Sequence, residues 1–214
     1  LFYKKFYILI VIYQNMLKTL TKNMLITLTL LCSLNTTINN KEREIDSEHI
    51  RIFKQSLELD LNQALDNAYS YIKQIDYLDD STNYGFSDYV ASFKVINQRK
   101  KDDCDGDAVA GMVLLYKFNP KMIIMGEYRL NNSDYGHAFC FIEKDGKFYS
   151  SGISNRQGYN SLKHLIQGED STLVSPHRDK WKYYWICDYK LEDLLNADDN
   201  IDKRKILINQ GQIN

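Results

Sequence analysis

The stretch KKDDCDGDAVAGMVLLYKF at residues 100–118 sets one thiol, Cys104, among Asp102, Asp103, Asp105 and Asp107, at the polar entrance of an apolar helical run. The first N–H groups of a helix have no intrahelical acceptor, and a cysteine placed there is favoured as thiolate. The four carboxylates act in the opposite direction, because negative charges disfavour forming another. Such a thiol needs a base to act as a nucleophile. Of the four histidines, His49 lies on an N-terminal helix, His164 on a short late helix and His177 beside Pro176 in a loop. His137 differs, because it opens a strand directly after the turn NNSDYG and can project from the sheet end toward a helix N-terminus. Cysteine on a helix followed by histidine on a strand is the chain order used in thiol acyl transfer. Cys140 and Cys187 fall within apolar strands and read as buried free thiols, with a disulfide as the alternative if their strands are neighbours. The cysteines and histidines show no zinc-ligand spacing.

These residues need elements to hold them. Ile45, Phe53, Leu57, Leu61, Ala64, Leu65, Ala68, Ile72 and Ile75 recur at helical spacings and predict an amphipathic helix, or a pair, over residues 43–78. DDSTNYG at 79–85 breaks that pattern. After the Cys104 helix the periodicity becomes that of strands: KMIIMGEYRL at 121–130, GHAFCFIEKDGKFYSSGIS at 136–154 with an Asp-Gly hairpin turn, and WKYYWICDY at 181–189. Short helices are expected near 160–167 and 190–196, followed by a frayed polar tail from 198. The order of elements predicts an α+β fold, with helices on one side of an antiparallel sheet of three to four strands.

A net charge of −1 leaves no electrostatic footprint for nucleic acid, and the 44% hydrophobic content is that of a globular chain. The 16 tyrosines are read as compositional rather than as a stacking surface. FYILIVIY and MLITLTLLCSL near the N-terminus are each shorter than the roughly 20 residues of a spanning helix. Read from Met16, MLKTLTKNMLITLTLLCSL has the basic and apolar regions of a secretory signal. The expectation is therefore an exported chain, periplasmic or secreted, with transient membrane contact through residues 1–40. An amphipathic extension at 41–80, a domain at 81–197 and a tail at 198–214 follow.

YGFSDYVASFKVINQRKKDDCDGDA (84–108) resembles the Tyr-Gly-x-x-Asp-Tyr-Trp-Ala segment and the Asp-Cys-Glu/Asp-Asp-aromatic-Ala motif of bacterial transglutaminase-like cysteine peptidases, and GHAFCFIEKDGKFY resembles their His-Ala strand and hairpin. The resemblance spans about 70 residues. It implies a papain-like core in which Cys104 is the nucleophile and His137 the base, acting on peptide or amide bonds of a protein or peptide substrate. It also implies calcium held by Asp103 and Asp105, which match the acidic positions flanking the cysteine in some members. Val90, Phe93 and Gly106-Asp107 depart from the pattern, where Trp, Pro and an Asp-aromatic pair are usual.

The family's third catalytic member, an Asp or Asn on the strand after the hairpin, falls at Gly152, which has no side chain. Pairing across the Asp145-Gly146 turn sets Phe139 opposite Gly152 and His137 opposite Ser154. Ser154 or Asn155 is the expected substitute, each able to accept the imidazole N–H as a neutral group. For the oxyanion, the Cys104 N–H is one donor. Gln98 is a second candidate, six residues upstream at the spacing papain-like enzymes use. The expected activity is thiol-dependent hydrolysis. The alternatives are acyl transfer to an amine and a binding module that has kept the cleft without the chemistry.

Overall fold

The computed structural model describes residues 48–85, 89–126, 136–153, 156–172 and 181–213. The expected signal segment and the 1–40 boundary lie outside the described residues, as does His177. No helix among the described residues is long and apolar enough to cross a membrane.

The amphipathic stretch is a pair of helices, α1 (residues 48–57) and α2 (Leu61–Ile72). Asp60 makes the break. Its side chain accepts the Gln63 N–H at 2.9 Å and the Gln63 side chain accepts the Asp60 N–H at 3.1 Å, a capping box that restarts the helix. Ala64, Leu65 and Ala68 then lie on the buried face of α2. Two residues of parallel strand follow, β1 (Asp76–Tyr77) against β2 (Lys101–Asp102), with α3 (Asp80–Asn83) and α4 (Phe93–Arg99) between them in the chain. Lys100 ends α4 in the left-handed conformation, φ 54°, and turns the chain through β2 directly into α5 (Cys104–Leu114).

The main sheet has five strands in the order β5-β4-β3-β6-β7: β3 is Lys121–Gly126, β4 Gly136–Lys144, β5 Lys147–Ser150, β6 Tyr183–Asp188 and β7 Ile206–Gln212. All its pairings are antiparallel. The hairpin turns at Asp145-Gly146, both with positive φ, as the Asp-Gly pair predicts. Two expectations change here. The sheet has five strands instead of three or four, because the 198–214 tail forms β7. That strand has no clean polar-apolar alternation, is exposed along most of its length, and is held by backbone bonds to β6. The second change is that helices cover both faces. Ala138, Cys140 and Ile142 of β4 pack with α5 in one cluster, while Phe139 and Phe141 pack with Leu165 and Ile166 of α6 (Leu162–Thr172) in another. α7 (Leu191–Asn196) adds Leu194 and Leu195 to the first cluster.

Helix α5 lies close on β4 and β5 because of Gly111. A Cβ there would stand 2.4 Å from Ser151 Oγ and 2.7 Å from Cys140 Cβ. That approach brings the N-terminal end of α5 to the beginning of β4.

Candidate active site

Cys104 is the first residue of α5, and Asp103 is the N-cap, its carboxylate accepting the Asp105 N–H at 2.9 Å. The thiol is half-buried. The Ala138 backbone N–H lowers the pKa of the thiol, and Cys104 packs against the cluster that holds Ala138, so the sulfur lies near the start of β4, where His137 precedes Ala138. Strand pairing explains the availability of that N–H. Antiparallel rungs alternate between the two neighbours of a strand, and the Ser151 N–H donates to the Cys140 carbonyl on the β5 side. Ala138, two residues earlier, points to the same side, where β5 has already ended at Ser150. That leaves the Ala138 N–H to act on the Cys104 sulfur.

Burial first, then Asp105 and Asp103, push the Cys104 thiol well above its usual range; the Ala138 N–H pulls it down and Asp107 adds to the rise. In the protein alone, burial and the acidic surroundings act against the helix-terminus effect expected from position. Tyr77 of β1 is exposed over most of its surface, and partial desolvation of its hydroxyl, then Cys104 and Asp103, raise it to about 12.

Asp102, two residues before the thiol, is buried. Its Oδ2 accepts the Tyr84 hydroxyl at 2.8 Å and its Oδ1 the Asp103 N–H at 3.0 Å. Burial raises its carboxyl to about 6 despite those two hydrogen bonds. Gly106 makes room for this carboxylate, since a Cβ there would lie 2.2 Å from Asp102 Cγ. The glycine at position 106, where the resembled motif has another residue, thus has a steric reason in this chain. Tyr84 stacks on Tyr89 at 4.1 Å, and the Tyr89 N–H donates to Asp80 Oδ2 at 2.6 Å. Asp107 is raised to about 8, first by burial and then by Asp102 and Asp103.

Two sets of donor atoms, each lying within 4.8 Å of one another, emerge: Asp80, Asp102 and Asp103, and Asp103, Cys104 and Asp105. The first set offers only carboxylate oxygens, the donors a hard cation such as calcium prefers, whereas the second includes sulfur, which calcium does not favour. Nearby, the Tyr189 hydroxyl is buried without a hydrogen-bond partner among the described residues, and Asp105 contributes to its raised pKa. Asp103 and Asp105, to which the resemblance points, come together with Cys104 in the second set, and Asp103 also joins Asp80 and Asp102 in the first.

His137 faces Met125 of β3 and lies on the side of β4 that carries Phe139, with ring centroids 6.1 Å apart. Ser154 and Asn155 lie outside the described residues. Gln98 is exposed on α4, and among the described residues no hydrogen bond joins it to Cys104; the buried amide at that end of the helix is Asn97, which accepts from the Tyr71 hydroxyl at 2.8 Å and from Lys100 Nζ at 2.9 Å. His49 is buried, 3.0 Å from Asn196 Oδ1, and His164 is exposed. Cys140 and Cys187 are buried free thiols. Met122 faces both, one on either neighbouring strand, so the two cysteines stand two strands apart, beyond disulfide reach.

Sequence reasoning missed Asp80, the partnership of Asp102 with Tyr84, and Glu169, a buried carboxylate on α6. Asp102 and Tyr84 both fall within the stretch that carries the family resemblance. Glu169 has no local signal, because only the packing of α6 on the sheet brings it near β5. No protein-family model matches the chain, and no curated protein matches it.

Proposed function

We propose that the chain is a thiol-dependent hydrolase of peptide or amide bonds, of the transglutaminase-like type, in which Cys104 is the nucleophile and His137 the general base. The supporting observation is the position of Cys104 at the start of α5, packed against the cluster that includes Ala138 and Cys140 of β4, which sets the thiol near the start of the histidine strand. In the reaction, the S–H proton passes to His137 as sulfur attacks the substrate carbonyl. The oxyanion is stabilised by N–H groups at the start of α5, beginning with that of Cys104. His137 returns the proton to the leaving amine. Water, deprotonated by the same imidazole, then resolves the thioester to a carboxylic acid and restores the thiol.

Asp80, Asp102 and Asp103 are the residues that would hold a calcium ion, and its charge would offset the negative potential they place on Cys104. The second reading, a binding module that keeps the cleft without the chemistry, is favoured by the raised thiol. Transfer of the acyl group to an amine in place of water is a variant of the first reading, decided by which nucleophile reaches the thioester.

Incubating the full chain with a peptide library, with and without calcium, and sequencing the new termini by mass spectrometry tests this reading. The expected result is cleavage abolished by Cys104→Ala and reduced about 100-fold or more by His137→Ala, in line with the loss of a general base. Folded protein that cleaves nothing, or cleavage that survives Cys104→Ala, contradicts it.

A further inference from the structure

The side chain missing at Gly152 has a replacement in space. Glu169 of α6 is 4% exposed, and the Cβ that Gly152 lacks would stand 3.6 Å from its Oε1 and 3.8 Å from its Oε2. The Ser150 hydroxyl holds the carboxylate there: it donates to Glu169 Oε1 and accepts the Gly152 N–H at 3.1 Å. The carboxylate therefore occupies the space into which an acidic side chain at position 152 would extend.

Glu169 also belongs to the correct face of the sheet. Residues 137, 139 and 141 alternate onto the side of β4 covered by α6, where Phe139 and Phe141 pack with Leu165 and Ile166. The His137 ring is on that side too, next to Phe139. Continuing the pairing from Phe141 opposite Ser150, through the Ser151–Cys140 hydrogen bond, sets Gly152 across from Phe139. Glu169 thus reaches β5 one pleat away from His137, on the histidine side. Ser151 goes to the other face, against Gly111.

We infer that Glu169 is a positioning residue for His137, a carboxylate brought in from a helix to do what the family's strand acid does at the position of Gly152. This inference rests on His137 being the base of Cys104. When the thiol proton moves to His137, the Glu169 carboxylate accepts a hydrogen bond from the other imidazolium N–H and stabilises the positive ring, and the proton stays on the imidazole. Burial raises the Glu169 carboxyl to about 7, while the Ser150 hydrogen bond lowers it. A positive ring on the same face favours the ionised carboxylate, and the carboxylate in return favours the protonated ring.

The test reads the His137 ring directly, by NMR titration of the full chain, beside the rate of Cys104-dependent cleavage. Glu169→Gln keeps the shape and removes the charge. It is expected to lower the His137 pKa by about one unit or more, and to reduce kcat at least about tenfold with KM unchanged. Gly152→Asp combined with Glu169→Ala, which empties that space, is expected to restore both, since a Cβ at 152 meets only ordinary contacts. Ser150→Ala, which leaves the charge but removes its anchor, is expected to move His137 in the same direction by less, and serves if Glu169→Gln does not fold. An unchanged His137 pKa in the folded variants overturns the inference, whatever the activity. A shifted pKa in a chain that cleaves no peptide upholds the pairing and removes the hydrolase reading instead.

Discussion

The acidity of Cys104 is decided by its immediate neighbours. Position at a helix N-terminus is legible from a stretch such as DDCDGDAVAG, and it argues for a thiolate. How deeply the sulfur is buried, and how closely the carboxylates surround it, are tertiary quantities. Burial, Asp105 and Asp103 together outweigh the Ala138 N–H and leave the thiol protonated in the protein alone. The same carboxylates point to the remedy, because a cation bound among Asp80, Asp102 and Asp103 is favoured by their mutual repulsion and desolvation. Calorimetric titration with calcium chloride is expected to show binding in the range of about 10⁻⁶ to 10⁻³ M. Asp102→Asn should weaken it about tenfold or more, since a buried charge and ligand are lost. No heat across that range removes calcium from the mechanism. Asp80 escaped the sequence reading because nothing local sets it apart from Asp79, which caps α3 with its side chain.

Helix α5 positions the thiol, and its seat on the sheet depends on absent side chains. At Gly111 the helix presses on Ser151 and Cys140 with no room for a methyl group. Gly111→Ala must push α5 off β4 or displace those side chains, and overpacking of this kind costs about 1–3 kcal/mol. Ala is the better helix former by about 1 kcal/mol, so only part of that loss is recovered. The expected result is a lower urea midpoint with unchanged m-value, together with slower reaction at Cys104. A more stable variant would show that the helix and sheet are not in close contact. The helices α2, α5, α6 and α7 and the strands β3 to β6 were legible because their signals are local, the apolar periodicity and the Asp-Gly turn; α3, α4 and the two-residue strands β1 and β2 carry no such signal and were not expected. β7 was not legible, since an edge strand bonded through its backbone need not alternate. Ile206, Leu207 and Ile208 are about half exposed, and the pattern of three consecutive apolar residues does not identify a buried face.

At the scale of the molecule, the proposed site draws on three parts of the chain that are distant in sequence. The α3 to α5 region supplies the thiol and carboxylates, the β4–β5 hairpin supplies His137 and the edge that meets the sulfur, and α6 supplies Glu169. The chain order of cysteine then histidine was readable, as was the general class of helices on an antiparallel sheet. That α6 covers the opposite face, and so delivers a carboxylate to the position of Gly152, depends on the crossover after β5 and has no counterpart in residue spacing. The central claim is that Cys104 and His137 act as one unit. The most direct measurement is the pre-steady-state reaction of the full chain, with calcium present, with p-nitrophenyl acetate. The release of p-nitrophenolate is followed, and the acetylated residue is located by peptide mapping. The account predicts a burst matching the enzyme concentration, acetyl on Cys104 in preference to buried Cys140 and Cys187, and a loss of about 10² to 10⁴ in acylation rate in His137→Ala. Acylation of Cys104 at the rate of a simple thiol, unchanged by His137→Ala, contradicts it.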